Sequence, residues 1–416
     1  MGKSAIPAAV SAPAALILSG PAPDGGADLL ELLAGVPDGR TGQGRDHPVA
    51  AVLALAAAAV VAGMKGYTAI SGWVADVPPQ VLAGLYLRCG AGPALPPSKT
   101  TIWRVMTDAG TEELDAAAGT WLMDLAGLAG PAAAGPDAGQ EDGPPALTQV
   151  RLDGKAVRGA RNPDGTQVRL LAALAGPDAA SSVAAAQAAV GAKTNEVPAA
   201  AVVLGQLDLH GKVVTADALH TVRATARLIH EGGGEFAFPV KENRRSLFDA
   251  IDALPWKSVP IAHAATGKGH GRITTRTIQV LPAPDGLPFP HASQVFLIER
   301  YVTDLHGKAV SAVAALGVAS PKPGQAGPAD LAHYVREQWS IESLHWIRSP
   351  GVSRLLRDVV LGHPAERFRN TSARGVACCP RCSQAGPALA CNKCNTLRGD
   401  GGKLIKDLPV RTATMS

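Results

Sequence analysis

The chain has 416 residues, of which 46% are apolar and only 4% aromatic, and its 39 Lys and Arg against 35 Asp and Glu leave a net charge of +4. That length supports two or three domains around a sizeable core. The small charge excess permits a nucleic-acid partner without arguing for one, so local clustering of Lys and Arg is what counts.

The sequence argues against secreted and membrane classes. Pro7 and Pro13 break the N-terminal apolar run, which makes no secretory signal. Pro48–Gly63 is alanine-rich and shorter than the roughly 20 residues a membrane span needs. It reads as a buried core helix, with Asp46 or His47 placed to cap it. Cys89 stands alone, and the other five cysteines lie within Cys378–Cys394. Nothing elsewhere forms a disulfide framework, so the expected compartment is a reducing cytoplasm.

Residues 1–27, rich in Ala, Pro and Gly, read as a disordered tail. Residues 28–126 read as an all-helical domain. Helices are expected from Asp28, over Pro48–Gly63, around Tyr67–Val74, after Ser98 and over Thr111–Leu125, with Pro78–Pro79 as an interruption. Ser98 is a natural N-cap. Lys99, Thr100, Thr101 and Arg104 near the start of its helix suit a DNA recognition helix as well as they suit a purely structural bundle. Residues 127–147 form a Gly/Pro/Ala linker.

A different regime begins at Thr148–Ala160, TQVRLDGKAVRGA. Alternation predicts a short strand with Val150 and Leu152 on one face and Gln149, Arg151 and Asp153 on the other. Gly154 is expected to turn the chain, leaving the Asp153 carboxylate at a strand end with Lys155 and Arg158 behind it. Strands Val168–Leu174 and Ser182–Val190 follow, then a helix over Val197–Leu207 and a strand in Lys212–Asp217. A helix over Thr221–Glu231 precedes the strand Glu235–Val240. Strands in a row, then alternating helix and strand, predict an α/β mixed sheet with flanking helices.

Asp153 and Asp217 both fall at strand C-terminal ends, where open α/β sheets gather ligands. Two acids in one crevice repel, and a divalent ion is the usual counter-charge. In the helix Pro328–Arg348, a turn of about 100° per residue puts Leu331, Tyr334, Val335, Gln338, Ile341, Glu342 and His345 on one face. Glu342 then lies on the packed stripe, whereas Glu337 reads as solvent-facing. A packed Glu342 needs a partner: a metal shared with Asp153 and Asp217, or else Arg336 or His345.

LDGKAVRGA (with Asp153), TADALHT (with Asp217 and His220) and REQWSIESLHW (with Glu342), in this order, resemble the RNase H-like core of bacterial insertion-sequence DDE transposases. KTNEVP at Lys193–Pro198, FPVKENRRSL at Phe238–Leu247 and GKGHGRITTRTI at Gly267–Ile278 extend the resemblance. DGRTGQGRDHPVAAVLAL and PPSKTTIWRV resemble the transposase-associated helical domain, so the likeness spans about Leu29–Arg348. It implies a catalytic domain over 148–348 with a β-rich insertion at about 249–325. Strands at Ile273–Val280, Gln294–Tyr301 and Ala309–Val318 fit that insertion.

The resemblance further implies that Asp153, Asp217 and Glu342 bind two divalent ions, Mg²⁺ or Mn²⁺, for DNA cleavage and strand transfer at the ends of a mobile element. His220 and His345 become supporting residues around those ligands. Lys155, Arg158, Lys241, Arg244 and Arg272, with Lys99 and Arg104, become expected DNA contacts. The partners are terminal inverted repeats and target DNA, and pairing of two ends implies a homo-oligomer, with no membrane involved. Beyond Arg348 the sequence departs from the family pattern, and residues 349–416 read as a frameshifted or truncated frame with a divergent tail. Cys379-x-x-Cys382 and Cys391-x-x-Cys394 offer a tight zinc knuckle there. Two alternatives stay open: a non-catalytic DNA-binding remnant inactivated by the divergent tail, and an RNase H-like nuclease without strand transfer.

Overall fold

The computed structural model describes residues 17–18, 26–41, 45–92, 95–129, 146–161, 165–178, 181–191, 196–339 and 341. The first described elements are helices: α1 (Leu29–Ala34), α2 (Val49–Val61), α3 (Tyr67–Ala75), α4 (Pro79–Arg88), α5 (Lys99–Asp108) and α6 (Thr111–Leu125). Helix α2 is apolar on every side and therefore goes to the centre. Ala51, Val52, Ala54, Leu55, Ala58 and Ala59 on it are fully buried, and Ile70, Leu85, Tyr86 and Ile102 join the same core. Neither Asp46 nor His47 caps α2, because Pro48 occupies the N-cap position and no side chain bonds there. Pro79 begins α4 instead of merely interrupting α3, since a proline at the first helical position loses no intrahelical bond. Ser98 caps α5 as expected, accepting from the Thr101 amide at 3.1 Å.

The remainder is an α/β domain built on a nine-stranded mixed sheet. Its strands are β1 (Thr148–Arg161), β2 (Gln167–Ala175), β3 (Val183–Val190), β4 (Lys212–Thr215), β5 (Glu235–Val240), β6 (His263–Gly269), β7 (Arg272–Pro282), β8 (Gln294–Asp304) and β9 (Ala309–Ala319). Their spatial order is β3-β2-β1-β4-β5-β9-β8-β7-β6. Strand β1 is antiparallel to β2 and parallel to β4, and β4 is parallel to β5, which is the RNase H-like arrangement expected from the sequence. The antiparallel insertion strands β6 to β9 extend the same sheet through the β5–β9 pairing. Flanking helices are α7 (Glu196–Leu204), α8 (Arg223–Glu231), α9 (Arg245–Asp252) and α10 (Pro328–Glu337). Val150, Leu152, Val214, Phe236 and Phe238 form the centre of the core.

Helix α6 ties the helical region to the sheet. Asp115, 8% exposed, accepts from the Gln187 amide of the edge strand β3 at 2.8 Å. Gly119 lies so close to the Ala185 carbonyl that any side chain there would collide with it. An edge-strand N–H that would otherwise face outward is thereby paired.

Several sequence expectations change. Thr148–Ala160 is not a short strand turned at Gly154. It belongs to a 14-residue strand in which Gly154 pairs with Leu171 and Asp153 with Ala172. The polar face of β1 is buried as well, with Gln149 1% and Arg151 0% exposed. Both are covered by elements contributed from elsewhere in the chain. Strand β4 ends at Thr215, so Asp217 lies in the following turn, not on the strand. Glu337 is not solvent-facing, since its side chain is only 17% exposed.

Candidate active site

The parallel pairing of β1 and β4 relates the two acids. Their register runs from Thr148↔Lys212 to Arg151↔Thr215, and Asp153 and Asp217 each follow two residues after that last pair. Both acids therefore lie just past the end of the parallel ladder, the end at which open α/β sheets gather ligands. Strand β1 continues beyond this point with β2 alone, while the chain after β4 turns away.

The turn carrying Asp217 is held from three sides. The Asp217 side chain accepts from the Leu219 amide at 2.9 Å, and its carbonyl accepts from the His220 amide at 3.1 Å. Such a self-capped turn suits an Asp, whose short carboxylate reaches its own backbone two residues on. Thr221, fully buried, donates to the Pro239 carbonyl at the end of β5 at 2.7 Å. From the segment before α9, Asn243 donates to the Ala218 carbonyl at 3.2 Å. Arg244 donates to the carbonyls of Thr221 at 2.8 Å and Leu219 at 3.3 Å. Arg244, expected as a DNA contact, clamps this turn through the Thr221 and Leu219 carbonyls.

Helix α10 crosses the polar face of β1 and β4. Gln149 donates to the Tyr334 carbonyl and to the Thr215 hydroxyl, each at 2.8 Å. Thr215 in turn donates to the Gln338 side-chain oxygen at 2.5 Å, and the Gln338 amide donates to the Leu152 carbonyl at 2.8 Å. Leu331 and Tyr334 are buried on the inner side, and Ile341 is 1% exposed. Helix α10 ends at Glu337 and Gln338–Trp339 form a turn, so of the face expected over Pro328–Arg348 the structure buries Leu331, Tyr334 and Ile341, half-buries Val335 and Gln338, and half-buries Glu337 as well.

A further carboxylate, not singled out from the sequence, lies against the segments that carry the two acids. Glu196 opens α7, and its carboxylate sits against Gly154, where an added Cβ would overlap it. Glu196 Oε1 is 3.1 Å from Arg169 Nη2, and Oε2 is 3.7 Å from His220 Nε2. His220 and Arg169 hold its carboxyl below the ordinary range, against the upward push of burial. The clue in the sequence was a glycine inside a strand, which often marks a close approach.

The remaining expected residues divide clearly. Lys155 is exposed on β1, two positions beyond Asp153. Lys241 is exposed after β5, and Arg272 is exposed at the His270–Gly271 hairpin joining β6 to β7. Lys99 and Arg104 are exposed on α5, whose apolar side packs into the helical core. The side chain of Arg158 lies outside the described residues, as do Glu342, His345, Cys379, Cys382, Cys391 and Cys394. Among the described residues, no three His, Cys, Asp or Glu side chains gather into a metal cluster. Asp153 and Asp217 alone are hard oxygen donors suited to a hard divalent ion. No described helix is long and apolar enough to cross a membrane.

Residues 147–358 match the family described as "Transposase DDE domain", and residues 30–122 match its "DDE_Tnp_1-associated" partner domain. The chain belongs to the DDE transposase family. The family match extends to residue 358, ten residues beyond Arg348. A protein from the dhlA 3′ region of Xanthobacter autotrophicus is 30% identical over 245 residues, covering 56% of this chain and 73% of its own length. The H repeat-associated YbfD of Escherichia coli (strain K12), which carries a transposase name, is 34% identical over 100 residues. That alignment covers 23% of this chain and 40% of YbfD, so the chain spans less than half of that relative. A piggyBac transposase synaptic complex with hairpin DNA aligns at 12% identity with a TM-score of 0.29, over 53% of this chain and 45% of its own. A likeness that slight bears no weight for the site. DDE transposase domains use divalent metals such as Mg²⁺.

Proposed function

We propose that the chain is a DNA transposase that cleaves the ends of its mobile element and joins them to target DNA. Asp153, Asp217 and Glu342 hold Mg²⁺ or Mn²⁺. The observation that carries this reading is the placement of Asp153 and Asp217, each two residues past the β1–β4 ladder, with Gln338 at the end of α10 bonded to the Leu152 carbonyl beside Asp153. Glu342 lies four residues after Gln338 in the sequence, on the face expected for a helix over Pro328–Arg348, and is the third acid of this reading.

Bound divalent ions supply the acidification of a water or a DNA 3′-hydroxyl and the stabilisation of the leaving oxygen. The chain's own work is placement. Asp153 is fixed by a paired strand, and Asp217 by a turn clamped by Asn243, Arg244 and Thr221. Exposed Lys155, Lys241 and Arg272 neutralise the phosphate backbone, with Arg158 contributing from the same strand, while Lys99 and Arg104 on α5 contact DNA through the helical domain. Two element ends must be paired, so the working species is a homo-oligomer on DNA.

The test is strand transfer in vitro, with a labelled duplex from the element end, target DNA and Mg²⁺. Joined product supports the transposase reading. Cutting without joining supports a nuclease, and binding without chemistry supports a remnant inactivated through its C-terminal tail.

A further inference from the structure

We propose that Glu196 is a positioning residue that sets the distance between Asp153 and Asp217. The proposal rests on the reading of those two acids as metal ligands. They stand on separate segments: Asp153 on β1, and Asp217 in the turn after β4. Beyond Arg151↔Thr215 no ladder hydrogen bond connects the two segments, so something else must fix their separation.

Glu196 touches both. Its carboxylate lies against Gly154, the residue directly after Asp153, and the absence of a Cβ there is what lets it approach. Its other oxygen faces the ring of His220, whose amide bonds the Asp217 carbonyl at 3.1 Å. Arg169 on β2, paired with Ala156 of β1, anchors the carboxylate from the strand side. One carboxylate therefore bridges the strand of the first acid to the turn of the second.

The His220 ring supports a directed role over simple packing. His220 is 1% exposed, and neither ring nitrogen has a hydrogen-bond partner. A buried imidazole without hydrogen bonds is costly unless a nearby charge orients it, and Glu196 at 3.7 Å is the acid in reach. A packing residue in place of Glu196 would fill the space without orienting the ring. The Glu196 side chain is itself only 12% exposed, so its charge is kept out of water for the sake of these neighbours.

The test is Mn²⁺ binding to the full chain, read by electron paramagnetic resonance, alongside the thermal unfolding midpoint. Glu196→Gln preserves shape and removes charge, and it is expected to weaken Mn²⁺ binding about 10- to 100-fold while the chain stays folded. Gly154→Ala should give a similar loss by pushing the carboxylate aside, and the double variant should be less than additive. If Asp153→Asn abolishes Mn²⁺ binding but Glu196→Gln and Gly154→Ala bind as the wild type does, the positioning role is overturned alone. If wild-type chain binds no Mn²⁺, or Asp153→Asn leaves binding unchanged, the metal reading of the site is overturned and the positioning role falls with it.

Discussion

Gln338 donates to the Leu152 carbonyl at 2.8 Å, one residue past the last β1–β4 pair. The side chain at the C-cap of α10 thereby takes over a strand carbonyl just where the parallel ladder ends, immediately before Asp153. The same side chain accepts from Thr215, so one residue links α10 to both strands of the candidate site.

Gln338→Ala is expected to leave the Leu152 carbonyl and the Thr215 hydroxyl without this partner. Leaving buried polar groups unsatisfied costs about 1–3 kcal/mol, so the denaturant midpoint should fall by a corresponding amount. Urea unfolding of the two proteins measures it, and an unchanged midpoint would mean that the network contributes nothing.

A second prediction concerns pH and the helical domain. Asp38 accepts from Arg40 Nε at 2.9 Å and from Nη2 at 2.8 Å, and Arg40 together with Arg45 holds its carboxyl below the ordinary 3.8. A lowered folded-state value means that the stabilisation is fully present above the unfolded value and disappears as pH falls through the folded one. Thermal midpoints should therefore drop on acidification below about pH 4. Asp38→Asn should lower the neutral-pH midpoint and flatten that acid limb. A mutant with the wild-type acid limb would show that other carboxylates control it.

Lys99 and Arg104 are exposed on α5, whose opposite side buries Ile102, Val105 and Met106. If α5 meets DNA, Lys99→Ala with Arg104→Ala should weaken binding of an element-end duplex and lower the salt slope by about one unit for each lost phosphate contact. Fluorescence anisotropy across a salt series gives both quantities. An unchanged slope and affinity would make the helical region purely structural.

How far the sequence disclosed this arrangement depended on whether the partner was local. The order of strands and helices was legible because hydrophobic alternation and helix caps are local signals, and the fold class followed from it. Asp153 and Asp217 stood out as acids beside short apolar strands. The buried polar face of β1 did not, because the helix covering Gln149 comes from the far end of the domain. Gly154 looked like a turn for the same reason: its real neighbour, Glu196, arrives from another element. Strand β6, made largely of exposed Ala, Gly, Thr and Lys, has little strand propensity of its own and is held by pairing with β7. Helix α4 was hidden because the Pro78–Pro79 pair reads as an ending as readily as a beginning.

Single-turnover cleavage of a labelled element-end duplex in Mg²⁺, at saturating protein, bears most directly on the roles of Asp153 and Asp217. Wild-type chain should cut the duplex, while Asp153→Asn and Asp217→Asn should be slower by on the order of 10³-fold, equivalent to about 4 kcal/mol of transition-state stabilisation. Both variants should still bind the duplex as wild type does. Variants that cut at the wild-type rate would contradict the assignment of these two residues as the core of the active site.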